Sequence, residues 1–120
     1  MANLKRNMLE LVKNPEGVLK GDEPEIEKIW TPAFIPLRVA RNAIEVWHDV
    51  ETNKKLSEVD KFDRIAEFVA NEVFAGKITT EDIYNRLHAP GGQDVVKQQL
   101  IFVAQGQQSD ETKNFLAKKD

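Results

Sequence analysis

The amino-acid sequence predicts a mostly α-helical, single-domain fold of four to five helices, with a short β element allowed near residues 26–31. Three observations predict it. Apolar residues recur at helical spacing in separate stretches between residues 4 and 105, and breaks rich in glycine, proline or hydroxyl residues stand between those stretches. The third is length, since 120 residues leave room for one hydrophobic core and no second one. The same pattern divides the chain into an N-terminal helix and linker (residues 1–25), a helical core (26–106) and a polar, flexible C-terminal tail (107–120).

Leu4, Met8, Leu11 and Val12 lie at helical spacing, which predicts a first helix over residues 4–12 that Pro15-Glu16-Gly17 ends. Residues 16–25 combine two glycines, a proline and four acids and read as a loop. From Ile26 to Phe34 several residues are β-branched or aromatic, and the prolines at 32 and 36 keep the backbone extended. Pro36 suits a helix start, and Leu37, Ala40, Ile44 and Trp47 follow on one apolar face, with Arg38, Arg41, Asn42, Glu45 and Asp49 on the other side, giving a helix over residues 36–51. Ser57 followed by Glu58 and Asp60 marks the next start, because a hydroxyl cap and acids suit the positive end of a helix dipole. Phe62, Ile65, Ala66, Val69 and Phe74 form its stripe, and Gly76 stops it. Thr79 or Thr80 caps a short helix with Ile83, Tyr84 and Leu87 inward, ended by Ala89-Pro90-Gly91-Gly92. A last core helix runs over residues 93–105, with Val96, Leu100, Val103 and Ala104 on one face, up to Gly106. Beyond it, only Phe115-Leu116 interrupts a polar tail.

Composition excludes several classes of function. A net charge of −3, with its adjacent basic pairs scattered at Lys5-Arg6, Lys54-Lys55 and Lys118-Lys119, is the wrong electrostatics for neutralising phosphates, so nucleic acid is not an expected partner. No apolar run approaches the roughly 18 residues that a bilayer requires, and no secretory core follows the basic N-terminus, so the expectation is a cytoplasmic protein with no membrane partner. The absence of cysteine removes disulfides, thiolate metal sites and thiol nucleophiles.

Catalytic constellations are equally absent from the pattern. His48 and His88 are the two histidines, and neither sits in a His-x-x-x-His or Glu-x-x-His pair that would place two metal ligands together. Ser57 and Ser109 fall in a helix cap and a polar tail, away from any base. Pro90-Gly91-Gly92 lacks the lysine and hydroxyl residue of a phosphate loop. The expectation is a non-enzymatic protein with no metal and no cofactor.

What remains is surface. Trp30 and Phe34 lie in the extended entry, Phe68 and Phe102 fall off the main apolar stripes, and Phe115 and Leu116 stand alone in the tail. Large apolar residues outside a core mark contact sites, whereas a wide buried helix face would account equally for Phe68 and Phe102. Phe115-Leu116 reads as a short docking motif or as a pair that folds back onto the domain. Trp30, Phe34, Phe68, Phe102, Phe115 and Leu116 are therefore the candidate partner-binding residues.

The run Thr31-Pro32-Ala33-Phe34-Ile35-Pro36-Leu37, with Arg41-Asn42-Ala43-Ile44-Glu45-Val46 after it, resembles the opening of the tail assembly chaperones of long-tailed phages that infect Gram-positive bacteria. Residues 65–87 are similar to that family's helix, F-x-x-x-[IF]-T and E/D-D-[IFL]-Y stretch, here Phe74 to Thr79 and Glu81-Asp82-Ile83-Tyr84. The resemblance spans roughly residues 30–106. Residues 1–29 do not match the short β-rich start such proteins have, and Pro90-Gly91-Gly92 replaces a more acidic linker.

This resemblance implies a mostly helical, non-catalytic protein that binds the tape measure protein, keeps its long apolar helices soluble, helps recruit tail tube subunits and leaves before the virion is finished. Self-association is compatible with it. Many such proteins are made in two forms by a ribosomal frameshift, so the chain would be the shorter form, and Lys118-Lys119 would suit an A-rich slippery sequence. The rival expectations are a head-tail connector or tail completion protein, which would remain in the particle, and a helix-turn-helix regulator over residues 80–105, which the acidity and the Ala-Pro-Gly-Gly turn disfavour.

Overall fold

Asn7 and the strand that follows it organise the chain in the computed structural model, which describes residues 4–118. Residues 1–3 and Lys119 and Asp120, and with them half of the lysine pair, lie outside the described residues. Strand β1 (Met8–Val12) pairs antiparallel with β2 (Ile26–Trp30), Met8 opposite Trp30 and Val12 opposite Ile26. The described helices are α1 (Pro15–Leu19), α2 (Leu37–Thr52), α3 (Glu58–Phe68), α4 (Thr80–Arg86), α5 (Gly92–Gln105) and α6 (Asp110–Lys118). A mostly helical, compact single domain is therefore what forms, and the β element expected near residues 26–31 is present as β2, paired with β1 in a two-stranded sheet.

The helix predicted over residues 4–12 is instead the first strand. Met8, Leu9 and Leu11 are all buried and Val12 half-buried, because both faces of β1 are covered. Leu9 and Leu11 enter the main core, while the alternate residues Met8 and Glu10 lie towards α6. A five-residue apolar run fits either period, and pairing with β2 decides it. Leu4, expected on the inner face of a helix, is exposed. The sheet also supplies the β-rich start that residues 1–29 lack by pattern.

The loop between the strands holds the single short helix α1, which buries nothing. Asn14 closes that loop, its amide donating to the Glu23 carbonyl at 3.0 Å and its oxygen accepting from the Glu25 N–H at 2.8 Å.

The middle of the chain follows its local signals. Ser57 and Asp60 form a reciprocal cap on α3, and Thr79 and Asp82 form another on α4. Hydrogen bonding to the Thr79 N–H and hydroxyl holds the Asp82 carboxyl below its usual range. Past Phe68, α3 widens into a π turn over Val69–Val73, closed by the Phe74 N–H on the Val69 carbonyl at 3.0 Å. The extra residue keeps Val69, Ala70, Val73 and Phe74 all out of water. Ala75 at φ 52° and Gly76 at φ 79° then turn the chain out of the helix. Arg86 fastens α4 to the sheet, donating to the Val12 carbonyl at 3.0 Å and pairing with Glu27.

The inward face of α2 differs from the expected one. Ala43 and Val46 are buried with Val39 and Val50 beside them; of the predicted stripe Trp47 packs against the core, whereas Leu37 and Ile44 point outward. Tyr84, expected inward, is part-exposed, its ring edge-on to Phe62 at 5.7 Å and its hydroxyl donating to Asp63.

The largest departure is the segment expected as a flexible tail, which carries α6 against β1. Its fully buried residues, Ser109 and Thr112, are polar, so hydrophobic periodicity does not register them. Asn7 Oδ1 accepts from the Ser109 N–H at 2.8 Å and from the Thr112 hydroxyl at 2.7 Å, and Asn7 Nδ2 donates to Gln99 Oε1 at 2.8 Å. Gln99 Nε2 donates to the Met8 carbonyl at 2.9 Å, and the Met8 N–H donates to Thr112 Oγ1 at 2.9 Å. Asn7, Gln99, Ser109 and Thr112 are all buried. Removing one member strands the others in a dry site. Gln99→Leu leaves the Asn7 amide and the Met8 carbonyl without partners and is expected to cost about 2–4 kcal/mol in urea unfolding, whereas Gln98→Ala, which loses only exposed bonds to Asp110, costs less than about 1 kcal/mol.

Candidate functional site

The extended entry leaves β2 at Trp30 and crosses to α2 through residues 31–36, and prolines at both ends keep it from folding into either element. Thr31 anchors it, its hydroxyl accepting from the Asn7 N–H at 3.1 Å and its carbonyl taking the Arg6 guanidinium. Between this entry, the first turns of α2 and the last turn of α5 lies a hollow of about 300 Å³. Leu4, Ala33, Phe34, Leu37, Ala40, Phe102 and Val103 line it, and among the described residues Lys5 is the one charged residue on its wall. The Lys5 ammonium is engaged by the Gly106 carbonyl at 2.9 Å, which ties the N-terminal segment to the end of α5.

Phe34 is 66% exposed and Leu37 85% exposed on the rim, and Leu4 joins them. Among the described residues these side chains form an open apolar surface beside the hollow, the kind of patch that marks interaction sites.

The six residues singled out by sequence fall into three places. Phe34 and Phe102 meet at the hollow, although Phe102 is 5% exposed and forms its floor. Trp30 and Phe115 meet at the α6 seat, edge to face at 5.7 Å, with the Arg6 guanidinium 5.9 Å from the Trp30 ring and Lys28 5.6 Å from Phe115. Leu116 is part-exposed on the neighbouring position of α6. Phe68 stands apart and is buried, beneath a polar cleft between α2 and α3 that Glu45, Arg64, Glu67 and Glu72 line. The exposure considered for Phe68 and Phe102 is thus not found, because the α3 and α5 faces are wide enough to bury both.

Sequence reasoning missed Leu4, Leu37 and Ile44 as surface residues. The signal was present in α2, whose apolar residues cover more of its circumference than one buried face can use. Among the described residues no three His, Asp or Glu side chains are grouped to hold a metal ion, and no helix is long and apolar enough to cross a membrane.

The model of the phage tail chaperone protein family matches residues 3–120. The chain belongs to that family. The match takes in the N-terminal sheet and α6 as well as the residues that carry the resemblance by eye. No curated protein and no solved structure matches the chain. As a tail chaperone it serves phage assembly inside the host, in contact with tail proteins, and the family's role is one of assembly.

In this tail chaperone the α6 seat carries an acid pair. Glu111 lies beside Glu10 of β1, and partial burial together with that neighbouring carboxyl raises Glu111 to about 7. Lys28 stands opposite Glu10 in the sheet, and His88 lines the same hollow as both carboxyls. The folded chain holds this proton more tightly than the unfolded one, so the stabilisation is complete below the ordinary carboxyl range and is lost as pH rises towards about 7. The α6 amides are expected to exchange with solvent more slowly near pH 5 than near pH 8, after correction for intrinsic rates, and Glu111→Gln should remove most of that difference.

Proposed function

We propose that the chain is a tail assembly chaperone that holds apolar helical segments of the tape measure protein in the hollow between its entry segment, α2 and α5. Membership of the tail chaperone family supports an assembly role, and the observation that carries the finer reading is the exposure of Phe34, Leu37 and Leu4 around an apolar hollow. Such a rim accepts side chains spaced along one face of a helix. The tape measure protein, whose helices are long and apolar, presents that face repeatedly and aggregates when it is left uncovered.

Binding of this kind excludes water from apolar surface without a large interface, so it dissociates, as a factor that leaves the finished particle must. Action in the host cytoplasm and recruitment of tail tube subunits, through this chain or a longer form of it, belong to the same proposal.

Co-expression tests it. With the native chain the tape measure protein is expected in the soluble fraction and co-purifies. Phe34→Asp with Leu37→Asp should send most of it to the pellet, while the variant's own circular dichroism and melting stay within about 1 kcal/mol of native because both side chains are already in water. A tape measure protein that stays soluble alone, or that co-purifies equally with the variant, overturns the assignment.

A further inference from the structure

The outer face of α2 carries a second surface. Leu37 and Ile44 are 85% and 59% exposed, seven residues apart on one side of the helix, with part-buried Ala40 between them. Along one edge of that stripe run Arg38, Arg41, Glu45 and Asp49, spaced three, four and four residues apart, so that they line up on the helix surface. The charge is divided by position, with arginines in the first half of the helix and carboxylates in the second.

We propose that two copies of this chain pair through α2, antiparallel about a two-fold axis near Ile44. That arrangement places Ile44 against Ile44 and lays Arg38 and Arg41 of each copy along Glu45 and Asp49 of the other, whereas parallel two-fold pairing would set the two charged edges on opposite sides of the contact, where they do not meet. Within one copy these groups make local contacts: Arg41 reaches Glu45 at 3.0 Å and Asn42 at 3.1 Å, and Asp49 accepts from Arg64 at 3.4 Å and from Asn53 at 3.3 Å. Exposed bridges of this kind exchange partners at little cost. A two-fold pairing satisfies both halves of the edge at once, which a client helix does only if it carries the same divided charge. A contact built on one sixteen-residue helix is at the small end of protein interfaces, so the pairing is weak and depends on concentration. Leu37 also belongs to the rim of the hollow. On the tape measure reading, which this clause alone relies on, pairing and client capture therefore exclude each other.

Sedimentation of the full chain from low to high micromolar concentration is expected to shift from monomer to dimer. The double variants Arg38→Glu/Arg41→Glu and Glu45→Lys/Asp49→Lys should each remain monomeric and form a mixed dimer when combined. Because the chain has no cysteine, a single introduced one gives a clean cross-link. Ile44→Cys should form a disulfide-linked dimer on mild oxidation and Leu37→Cys should not, its two sulfurs being roughly 20 Å apart along the pair at 1.5 Å per residue. A chain that stays monomeric throughout, double variants that dimerise like the native chain, or cross-linking through position 37 rather than 44 would each sink the proposal. A monomeric result leaves the co-expression assignment standing, because capture in the hollow needs no second copy of the chain.

Discussion

The fold depends on how the side-chain amide of Asn7 is satisfied. Its oxygen takes two donors from the segment leading into α6, its nitrogen gives to Gln99 on α5, and its backbone exchanges bonds with Thr31 at the end of β2. These partners lie 24 to 105 residues away in sequence. A buried amide left unpaired would cost as much as several exposed ion pairs contribute, so the two ends of the chain and the last core helix must arrive together. Among the described residues no buried side-chain polar atom lacks a partner. The network is consequently a specificity device, since it accepts one register of β1 and one seat for α6.

This explains which parts of the fold were legible. The helices between residues 37 and 105 were, because their instructions are local: Ser57 with Asp60, Thr79 with Asp82, and glycines at 76, 91 and 106 in the left-handed turn each act within four residues. β1 and α6 were not. Met8, Leu9, Leu11 and Val12 satisfy a helical and an extended period alike, and the side chains that bury α6 are Ser109 and Thr112, which a hydrophobic pattern counts as solvent-facing. Both errors have one source. The information for the two termini resides in hydrogen bonds between them, and neither end carries it alone.

The candidate surface was legible in outline. An aromatic between two prolines has no element to pack it, which is why Phe34 stands in water. Phe68 and Phe102 could not be placed, because whether a residue beside the main stripe is buried depends on how many helices press on that side, and here α3 and α5 are flanked closely enough to cover both. α2 posed the converse difficulty. It has two apolar arcs, Val39-Ala43-Val46-Val50 and Leu37-Ala40-Ile44, and local sequence gives no reason to prefer one. The branched, compact first set fits between α3 and α5 and leaves the second outside.

That leftover arc gives a physical sense to chaperoning by so small a domain. The exposed residues sit on a helix and on an entry segment pinned at Thr31, so presenting them to a client requires little ordering of the chain, and most of the apolar area they bury is retained as affinity. A few such side chains, at about 1.5–3 kcal/mol each, contribute less than the cores of obligate complexes once the cost of association is subtracted. The contact proposed above would then be strong enough to cover a client segment at high local concentration and weak enough to let go. Arg38, Arg41, Glu45 and Asp49 along the same helix keep the uncovered surface soluble and give it a preferred direction. α6 lies outside this exchange. Its seat is a closed hydrogen-bond network, and breaking that would expose unpaired groups instead of a greasy face, which is why the proposed contact surfaces are the hollow and the outer side of α2 and not α6.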